Sequence, residues 1–206
     1  AAEIVPLETR KELPATDAPN PTFETIILSH DEGVRPDTTV QGLVALNPVM
    51  GSDGTITAGN ASQLSDGASA CLVMEGREAS RRGLTPLGRF RAFTIAGCDP
   101  AEMGIGPIPA VRKLLAKTGL RVDDIDLWEL NEAFACQVVH CQAELGIDPE
   151  RLNVDGGAIA MGHPYGMSGA RMAGHLLLEL NRRSLRRGVV TMCIGGGMGA
   201  AALFEI

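Results

Sequence analysis

Hydrophobic and polar positions change in blocks along the chain, and from residue 65 onward these blocks predict strands and helices in turn. Runs that alternate, or that are continuously apolar, predict strands. They lie at 87–98, 125–130, 152–161 and 189–206. Glycines interrupt the last run at 195–197, which predicts two strands joined by a hairpin. Strands that alternate with helices predict a layered α/β core.

Apolar residues recur at helical spacing between the predicted strands. A first helix is predicted over 106–119, where Gly119 is placed to end it. Its apolar stripe consists of Ile108, Val111, Leu114 and Leu115. Further helices are predicted over 132–146 and 167–184. The inner face of the last helix is predicted to consist of Met167, Ala170, Ala173, Leu177 and Leu180. The apolar run ASACLVM (68–74) predicts a buried strand or short helix.

The first part of the chain has a different pattern. Residues 1–64 are polar and rich in Pro and turn-forming residues, so we expect a loop-rich segment that covers a core domain at 65–206. Within it, TAGNAS (57–62) is either a linker or a loop that presents small polar groups, including Ser62, to a ligand. Because the chain begins without Met in this extended segment, we expect it to be part of something longer.

Composition narrows the classes of function. With 206 residues, 45% of them hydrophobic, the chain can bury a substantial core. A net charge of -7 and an aromatic content of 3% argue against nucleic acid as a partner. The chain has neither an apolar run of membrane-spanning length nor a signal-peptide pattern, so we expect no membrane contact. Five cysteines without framework spacing indicate reduced thiols, in the cytoplasm or in an organelle matrix.

Three polar side chains occupy comparable positions, each at the end of a predicted strand. Asn131 follows 125–130, His163 lies in a glycine and proline turn after 152–161, and Cys193 precedes the glycine hairpin. Open α/β sheets build their sites at such strand ends. His163 can accept a proton, Asn131 can orient a water, and Cys193 places a thiol beside bare backbone amides. The set predicts proton transfer next to a developing negative charge.

Five motifs extend this prediction to a family. NEAFA (131–135), GGAIAMGHPYGMSGAR (156–171) and CIGGGMG (193–199), with TAGNAS (57–62) and GPIPA (106–110), resemble motifs of the thiolases. The resemblance spans nearly the whole chain. It implies the C-terminal half of the five-layer thiolase fold, preceded by part of the substrate-binding loop domain. The implied activity is reversible thiolytic cleavage of 3-ketoacyl-CoA, or Claisen condensation of acetyl-CoA.

The resemblance also implies roles for individual residues. His163 would activate a nucleophilic cysteine and, with a water held by Asn131, polarise the thioester carbonyl of the second acyl group. Cys193 would remove the α-proton of acetyl-CoA in condensation and return it in cleavage. The Gly195 amide would help to bind the acyl-enzyme oxyanion.

Substrate binding and assembly are implied in the same way. Ser62 would lie along the pantetheine arm, and Arg35 would meet the nucleotide end of coenzyme A. Coenzyme A and acyl-CoA are then substrates, and no tightly bound cofactor is expected. The family implies a homodimer or homotetramer that includes the N-terminal thiolase half. Tyr165, where many relatives carry an aliphatic residue, is a departure from the family pattern that bears on the acyl pocket.

A larger departure concerns the nucleophile. Thiolases take the acyl group on a cysteine in their N-terminal half, and no cysteine here lies in a matching motif; the candidates are Cys71, Cys98, Cys136 and Cys141. We therefore expect the 206 residues alone to be inactive, either as part of a longer thiolase or beside a second polypeptide.

Two other functions stay open from the sequence. A non-catalytic thiolase-like subunit would explain the missing nucleophile but not the three strand-end groups. A ketoacyl-synthase relative would share the fold, but that family lacks the cysteine of the CIGGG motif. No metal is expected, since His140 with Cys136 and Cys141 lacks a second pair of ligands.

Overall fold

The computed structural model describes residues 3–13 and 21–206. Its strands are β1 (Leu7–Glu12), β2 (Phe23–Leu28), β3 (Arg89–Gly97), β4 (Leu127–Leu130), β5 (Arg187–Ile194) and β6 (Met198–Glu205). Its α-helices are α1 (Val40–Val44), α2 (Gly76–Arg81), α3 (Pro107–Thr118), α4 (Ala135–Leu145), α5 (Ala158–Met161) and α6 (Tyr165–Arg182). Within these described ranges, no helix is both long enough and apolar enough to cross a membrane.

A four-stranded mixed sheet in the order β3-β6-β5-β4 forms the centre of the core. β5 and β6 are antiparallel and are joined through the predicted glycine hairpin, whereas β4 and β5 run parallel. Leu130 lies opposite Thr191, and the Asn131 N–H donates to the Thr191 carbonyl at 3.0 Å. The carboxyl ends of β4 and β5 therefore meet at one edge of the sheet.

Helices cover both faces of this sheet. One cluster of buried residues joins the sheet to α3 and α4; it includes Val111, Leu114, Trp128, Leu130, Cys141 and Val189. The other joins the sheet to α6 and includes Leu127, Met172, Leu176, Leu180 and Val190. This α/β/α layering confirms the predicted fold class. The stripe on α3 and the end of that helix at Gly119, whose φ is +70°, also agree with the sequence pattern.

The cover segment, residues 1–64, is hydrogen-bonded to the rest of the chain close to residue 62. β1 and β2 form an antiparallel hairpin in which Leu7 pairs with Leu28. Farther along, the Ser62 N–H donates to the Ala133 carbonyl at 3.0 Å, and the Ala135 N–H donates to the Asn60 carbonyl at 2.8 Å. These bonds place TAGNAS directly beside the loop that follows β4. The boundary at residue 64 stays a prediction.

The structure contradicts the strand or helix predicted over 68–74. This run has no regular secondary structure, and its side chains are largely exposed, with Leu72 at 81% and Val73 at 84%. Side chains attach it to α6 instead: the Ser69 hydroxyl donates to the Met167 carbonyl at 2.6 Å, and the Cys71 thiol to the Ala170 carbonyl at 3.3 Å. Two side-chain hydrogen bonds, and not burial of the apolar residues, therefore hold this run against α6.

The strand predicted over 152–161 is also wrong. Asn153 and Gly156 have φ values of +46° and +85°, which no strand accommodates, and the segment ends in the short helix α5. His163 consequently follows a helical turn and not a strand.

The inner face of α6 differs in part from the prediction. Its fully buried apolar residues are Met172, Leu176 and Leu180, while Met167 and Ala170 are only half-buried. His175, a polar residue of the same helix, is 8% exposed. Its Nδ1 lies 2.8 Å from a Glu3 oxygen, and its Nε2 lies 3.8 Å from a Glu129 oxygen. Carboxyl groups from other elements, which hydrophobic periodicity does not register, explain this position.

Candidate active site

Asn131 and His163 are in direct contact at the carboxyl edge of the sheet. The Asn131 side-chain Nδ2 lies 3.1 Å from Nε2 of His163. Asn131 is 1% exposed, and among the described residues its Oδ1 has no hydrogen-bond partner. A buried acceptor without a partner costs about 1–3 kcal/mol. The amide thus presents a free acceptor beside the imidazole.

Ser168 fixes the other side of the ring. Its Oγ lies 2.6 Å from His163 Nδ1 and donates to the Pro164 carbonyl at 3.2 Å. One tautomer satisfies all three contacts: with the Ser168 hydroxyl donating to Pro164, the Nδ1–H donates to Ser168 and Nε2 accepts from Asn131 Nδ2. The arrangement leaves Nε2, which faces Asn131, as the basic nitrogen.

The surroundings favour the neutral imidazole. Burial lowers the pKa of His163 below its ordinary value, and the positive charge of Arg171 lowers this pKa further. A neutral ring can accept a proton at neutral pH. His163 also lines an open cavity of about 410 Å³ together with Leu64, Ser65, Asp66, Pro164 and Tyr165. The ring of Tyr165 meets His163 edge to face, with centroids 5.1 Å apart.

The turn that carries His163 is held by two side chains from elsewhere in the chain. Glu132 accepts from the Ile159 N–H at 3.1 Å and from Asn153 Nδ2 at 3.0 Å. The side-chain amide of Gln63 donates to the carbonyls of Ile159 and Ala160 at 3.2 and 3.0 Å. The main-chain carbonyl of Gln63 accepts from the His163 N–H. The loop after β4 and the cover segment therefore fix α5 and the turn together.

A Cβ at two glycines of this turn would collide with its neighbours. A Cβ at Gly157 would lie 2.6 Å from the Glu132 carboxyl carbon. At Gly162, where φ is +93°, a Cβ would run into the Ser65 side chain. The two glycines therefore permit the close approach that brings His163 to Asn131.

Cys193 lies near the end of β5, two residues beyond the Thr191 carbonyl that binds the Asn131 N–H. The thiol is half-buried and free. Burial raises the pKa of Cys193, and the neighbouring Gln137 amide offsets part of this rise. That amide makes no hydrogen bond of ordinary geometry within the described part of the chain. The amide is therefore buried near the thiol with both of its polar atoms unpaired among the described residues.

The glycine hairpin follows directly. Gly195 is exposed, with open space where a Cβ would lie, and Gly196 and Gly197 have φ values of +89° and +86°. A Cβ on Gly197 would come within 2.5 Å of the Cys98 carbonyl oxygen. The hairpin thus exposes backbone close to the thiol at the same edge of the sheet.

The two residues expected to bind coenzyme A are placed differently. Ser62 is half-buried, and its N–H donates to the carbonyl of Ala133, which lies two residues after Asn131. Arg35 is exposed, and its carbonyl closes a local turn with Thr38. The structure brings Asn131 and His163 into contact, with Cys193 on the adjacent strand, but it does not connect Arg35 to this group.

Sequence reasoning missed the residues that hold the site: Gln63, Glu132, Gln137 and Ser168. All four lie inside or next to motifs that carry the candidate residues. Ser168 could have been found, because it lies five residues after His163, where a helix returns to the preceding turn. Over residues 3–13 and 21–206, no cluster of three or more His, Cys, Asp or Glu side chains could hold a metal ion.

Fold and site together define an α/β protein with an imidazole, a carboxamide and a thiol at the ends of neighbouring elements, a set suited to proton transfer. The chain belongs to the thiolase family. Residues 84–206 match the thiolase C-terminal domain, and residues 1–77 match the thiolase N-terminal domain. The resemblance drawn from the motifs is thereby confirmed.

Individual relatives are similar over almost the whole chain. It is 52% identical over 205 residues to peroxisomal 3-ketoacyl-CoA thiolase 1 of Arabidopsis thaliana, covering 98% of this chain and 45% of that protein. It is 50% identical over 204 residues to the 3-ketoacyl-CoA thiolase of Bacillus subtilis, covering 99% and 52%. The chain therefore spans about half the length of the curated relatives that it matches.

Solved structures agree with the fold. The crystal structure of the Bacillus anthracis acetyl-CoA acetyltransferase matches with a TM-score of 0.89 and 41% identity, over 98% of this chain and 49% of that one. The crystal structure of human mitochondrial 3-ketoacyl-CoA thiolase in complex with CoA matches with a TM-score of 0.82 and 43% identity, over 89% and 46%.

Proposed function

We propose that the chain forms the C-terminal part of a thiolase that transfers an acyl group reversibly between coenzyme A and a 3-ketoacyl-CoA, in fatty acid and lipid metabolism. The contact between Asn131 and His163, with Ser168 behind the ring, carries this proposal. It supports a neutral imidazole whose Nε2 faces a buried amide. Family membership and the names of the relatives support the reaction class.

The proposed chemistry divides into two half-reactions. In the first, His163 takes the proton of a cysteine thiol, and the resulting thiolate receives the acyl group with loss of a thiolate leaving group. In the second, Cys193 as a thiolate removes the α-proton of acetyl-CoA. The carbanion attacks the acyl carbonyl, a carbon–carbon bond forms, and the acyl-bearing cysteine leaves as a thiolate. Asn131 with a bound water and the Gly195 amide would stabilise the negative oxygens.

Coenzyme A is a substrate in this proposal, and no tightly bound cofactor is required. Ser62 would contact the pantetheine arm, which the bonds between TAGNAS and the loop after β4 support. Arg35 would contact the nucleotide end. The relative solved in complex with CoA supports the choice of substrate.

The acyl-accepting cysteine is proposed to lie outside these 206 residues. The chain spans about half of its relatives, and Cys71, Cys98, Cys136 and Cys141 lie outside the family's nucleophile motif. The remaining thiolase half would cover the exposed apolar side chains at Leu72 and Val73. We also propose a homodimer or homotetramer, and a location in the cytoplasm or an organelle matrix.

The test is His163→Ala in the complete enzyme, meaning these residues together with the other thiolase half. We expect thiolysis and condensation both to fall by about 10²–10⁴-fold, because a general base is removed from both directions. The matched control is His140→Ala, which removes an exposed histidine on α4. Acyl transfer at the wild-type rate in His163→Ala would rule out the proposed role.

A further inference from the structure

Gln137 is a buried polar side chain that the proposed reaction has not used. It lies in the first turn of α4, is 6% exposed, and has no hydrogen-bond partner for either Nε2 or Oε1 among the described residues. An unpaired buried amide is costly, and such groups in folded proteins call for an explanation. The amide lies on the buried face of α4, on the side of the sheet to which the Cys193 side chain points, and this position provides one.

Packing holds this amide in place. A Cβ on Gly104 would lie 3.4 Å from Cγ of Gln137, an ordinary van der Waals distance, so the 3₁₀ segment Pro100–Ile105 lies directly beside this side chain. One turn farther along α4, Cys141 is fully buried and its thiol donates to the Gly104 carbonyl at 3.5 Å. Gln137 and Cys141 therefore share one face of α4, pressed against the same glycine.

Cys193 lies on the side of β5 that α3 and α4 cover. Side chains alternate along a strand, and Val189, four residues earlier, belongs to the buried cluster that contains Cys141. Two titratable groups interact with the Cys193 thiol. Cys98, just beyond β3, raises the pKa of Cys193, and Cys193 in turn raises the pKa of Cys141 on α4. The neutral Gln137 amide is the side chain that favours the thiolate.

We propose that Gln137 is a positioning residue for proton transfer at Cys193, and that its amide serves the sulfur in both protonation states. The N–H would donate to the thiolate before it takes the α-proton, and the carbonyl would accept from the thiol afterwards. This explains why both ends of the amide are left without other partners. The inference rests on the proposed function, because it assigns Gln137 to a proton transfer that Cys193 performs.

The experiment uses Gln137→Leu in the complete enzyme. Loss of a hydrogen bond to a charged group is expected to lower the thiolate fraction of Cys193 about tenfold or more at neutral pH. Exchange of the α-protons of acetyl-CoA for deuterium should slow by a similar factor, with its pH midpoint moved upward by about one unit or more. Formation of the acyl-enzyme should stay unchanged.

Alkylation by iodoacetamide reports on the sulfur directly. Trypsin cleaves after Arg187, and Cys193 is the only cysteine between Gly188 and Ile206, so the mass of the peptide that begins at Gly188 follows the reaction at this thiol. The pH midpoint of alkylation should move upward in Gln137→Leu. Gln137→Glu, which is isosteric but anionic, should move it upward as well and provides the reading if the leucine variant does not fold.

Gln142→Leu is the matched control. Gln142 is also on α4, but its Nε2 donates to the Ile147 carbonyl at 3.3 Å, away from the thiol. This variant should leave both midpoints unchanged. Wild-type midpoints for exchange and alkylation in the Gln137 variants would overturn the inference. Normal exchange in Cys193→Ala would instead overturn the role of Cys193, whatever Gln137 does to alkylation.

Discussion

Glu129 is a carboxyl group buried between β4 and α6, and its ionisation is coupled to folding. Its side chain is 4% exposed and lies 3.5 Å from Arg171 and 3.8 Å from His175. Burial raises the pKa of Glu129 to about 7, although the charges of His175 and Arg171 lower it; Glu132 and Glu3 add to the rise. The folded state therefore holds the proton of Glu129 more tightly than the unfolded state does. The stability that this group contributes is present below its ordinary pKa of 4.5, and it is lost as the pH rises through about 7.

Glu129→Gln keeps the shape of the side chain and removes this titration. Relative to the wild type, we expect the free energy of unfolding of the variant to rise by about 2–3 kcal/mol between pH 5 and pH 8. Chemical unfolding at the two pH values measures it. Glu144→Gln, which changes an exposed carboxylate on α4, is the control and should show no such difference. Parallel pH dependence in Glu129→Gln and the wild type would contradict the prediction.

Some candidate residues could be selected from the sequence alone. His163 and Cys193 could be selected because each lies in a long motif, and Asn131 because it ends a strand. Gln137 and the buried state of His175 could not, because each depends on which side chain from another element comes close. Hydrophobic periodicity reports burial of apolar groups and contains no information on polar partners.

At the scale of elements, the turn before His163 is built by side-chain bonds. Asn153 pairs with the backbone of Leu130 through both ends of its amide, and it also donates to Glu132. Glu132 in turn caps α5 through the Ile159 N–H. These bonds replace the strand that the apolar pattern of 152–161 suggested. β3, α3 and β5 were predictable because their apolar side chains recur at regular spacing and pack into the buried clusters of the core.

Glu132→Ala should loosen this turn. The variant loses two hydrogen bonds to a carboxylate and leaves the N–H of half-buried Ile159 without its partner, so we expect the unfolding free energy to fall by about 1–3 kcal/mol. Acyl transfer should fall about tenfold or more, because His163 is no longer held against Asn131. Thermal unfolding and steady-state kinetics measure both effects. Glu132→Gln should recover part of each loss, and equal activity of the alanine variant and the wild type would refute the role.

At the scale of the whole molecule, the chain is a layered sheet with an unevenly covered surface. Phe90, Phe93 and Ile95 on β3 are 59%, 44% and 48% exposed, and Leu72 and Val73 are more exposed still. A sequence pattern identifies such positions as apolar but does not reveal whether their partners belong to the same stretch of chain. The length of the relatives, about half of which this chain spans, indicates that such partners lie in the other thiolase half. The α/β layering and the family could both be predicted from the sequence pattern without that comparison.

The central claim is that Cys193 performs proton transfer at the α-carbon of acetyl-CoA while another cysteine holds the acyl group. The most direct measurement is deuterium exchange into acetyl-CoA by the complete enzyme carrying Cys193→Ala, followed by mass spectrometry together with formation of the acyl-enzyme. The account predicts that acylation persists while exchange falls by about 10²-fold or more, because the base has been removed. Exchange at the wild-type rate in this variant would contradict it.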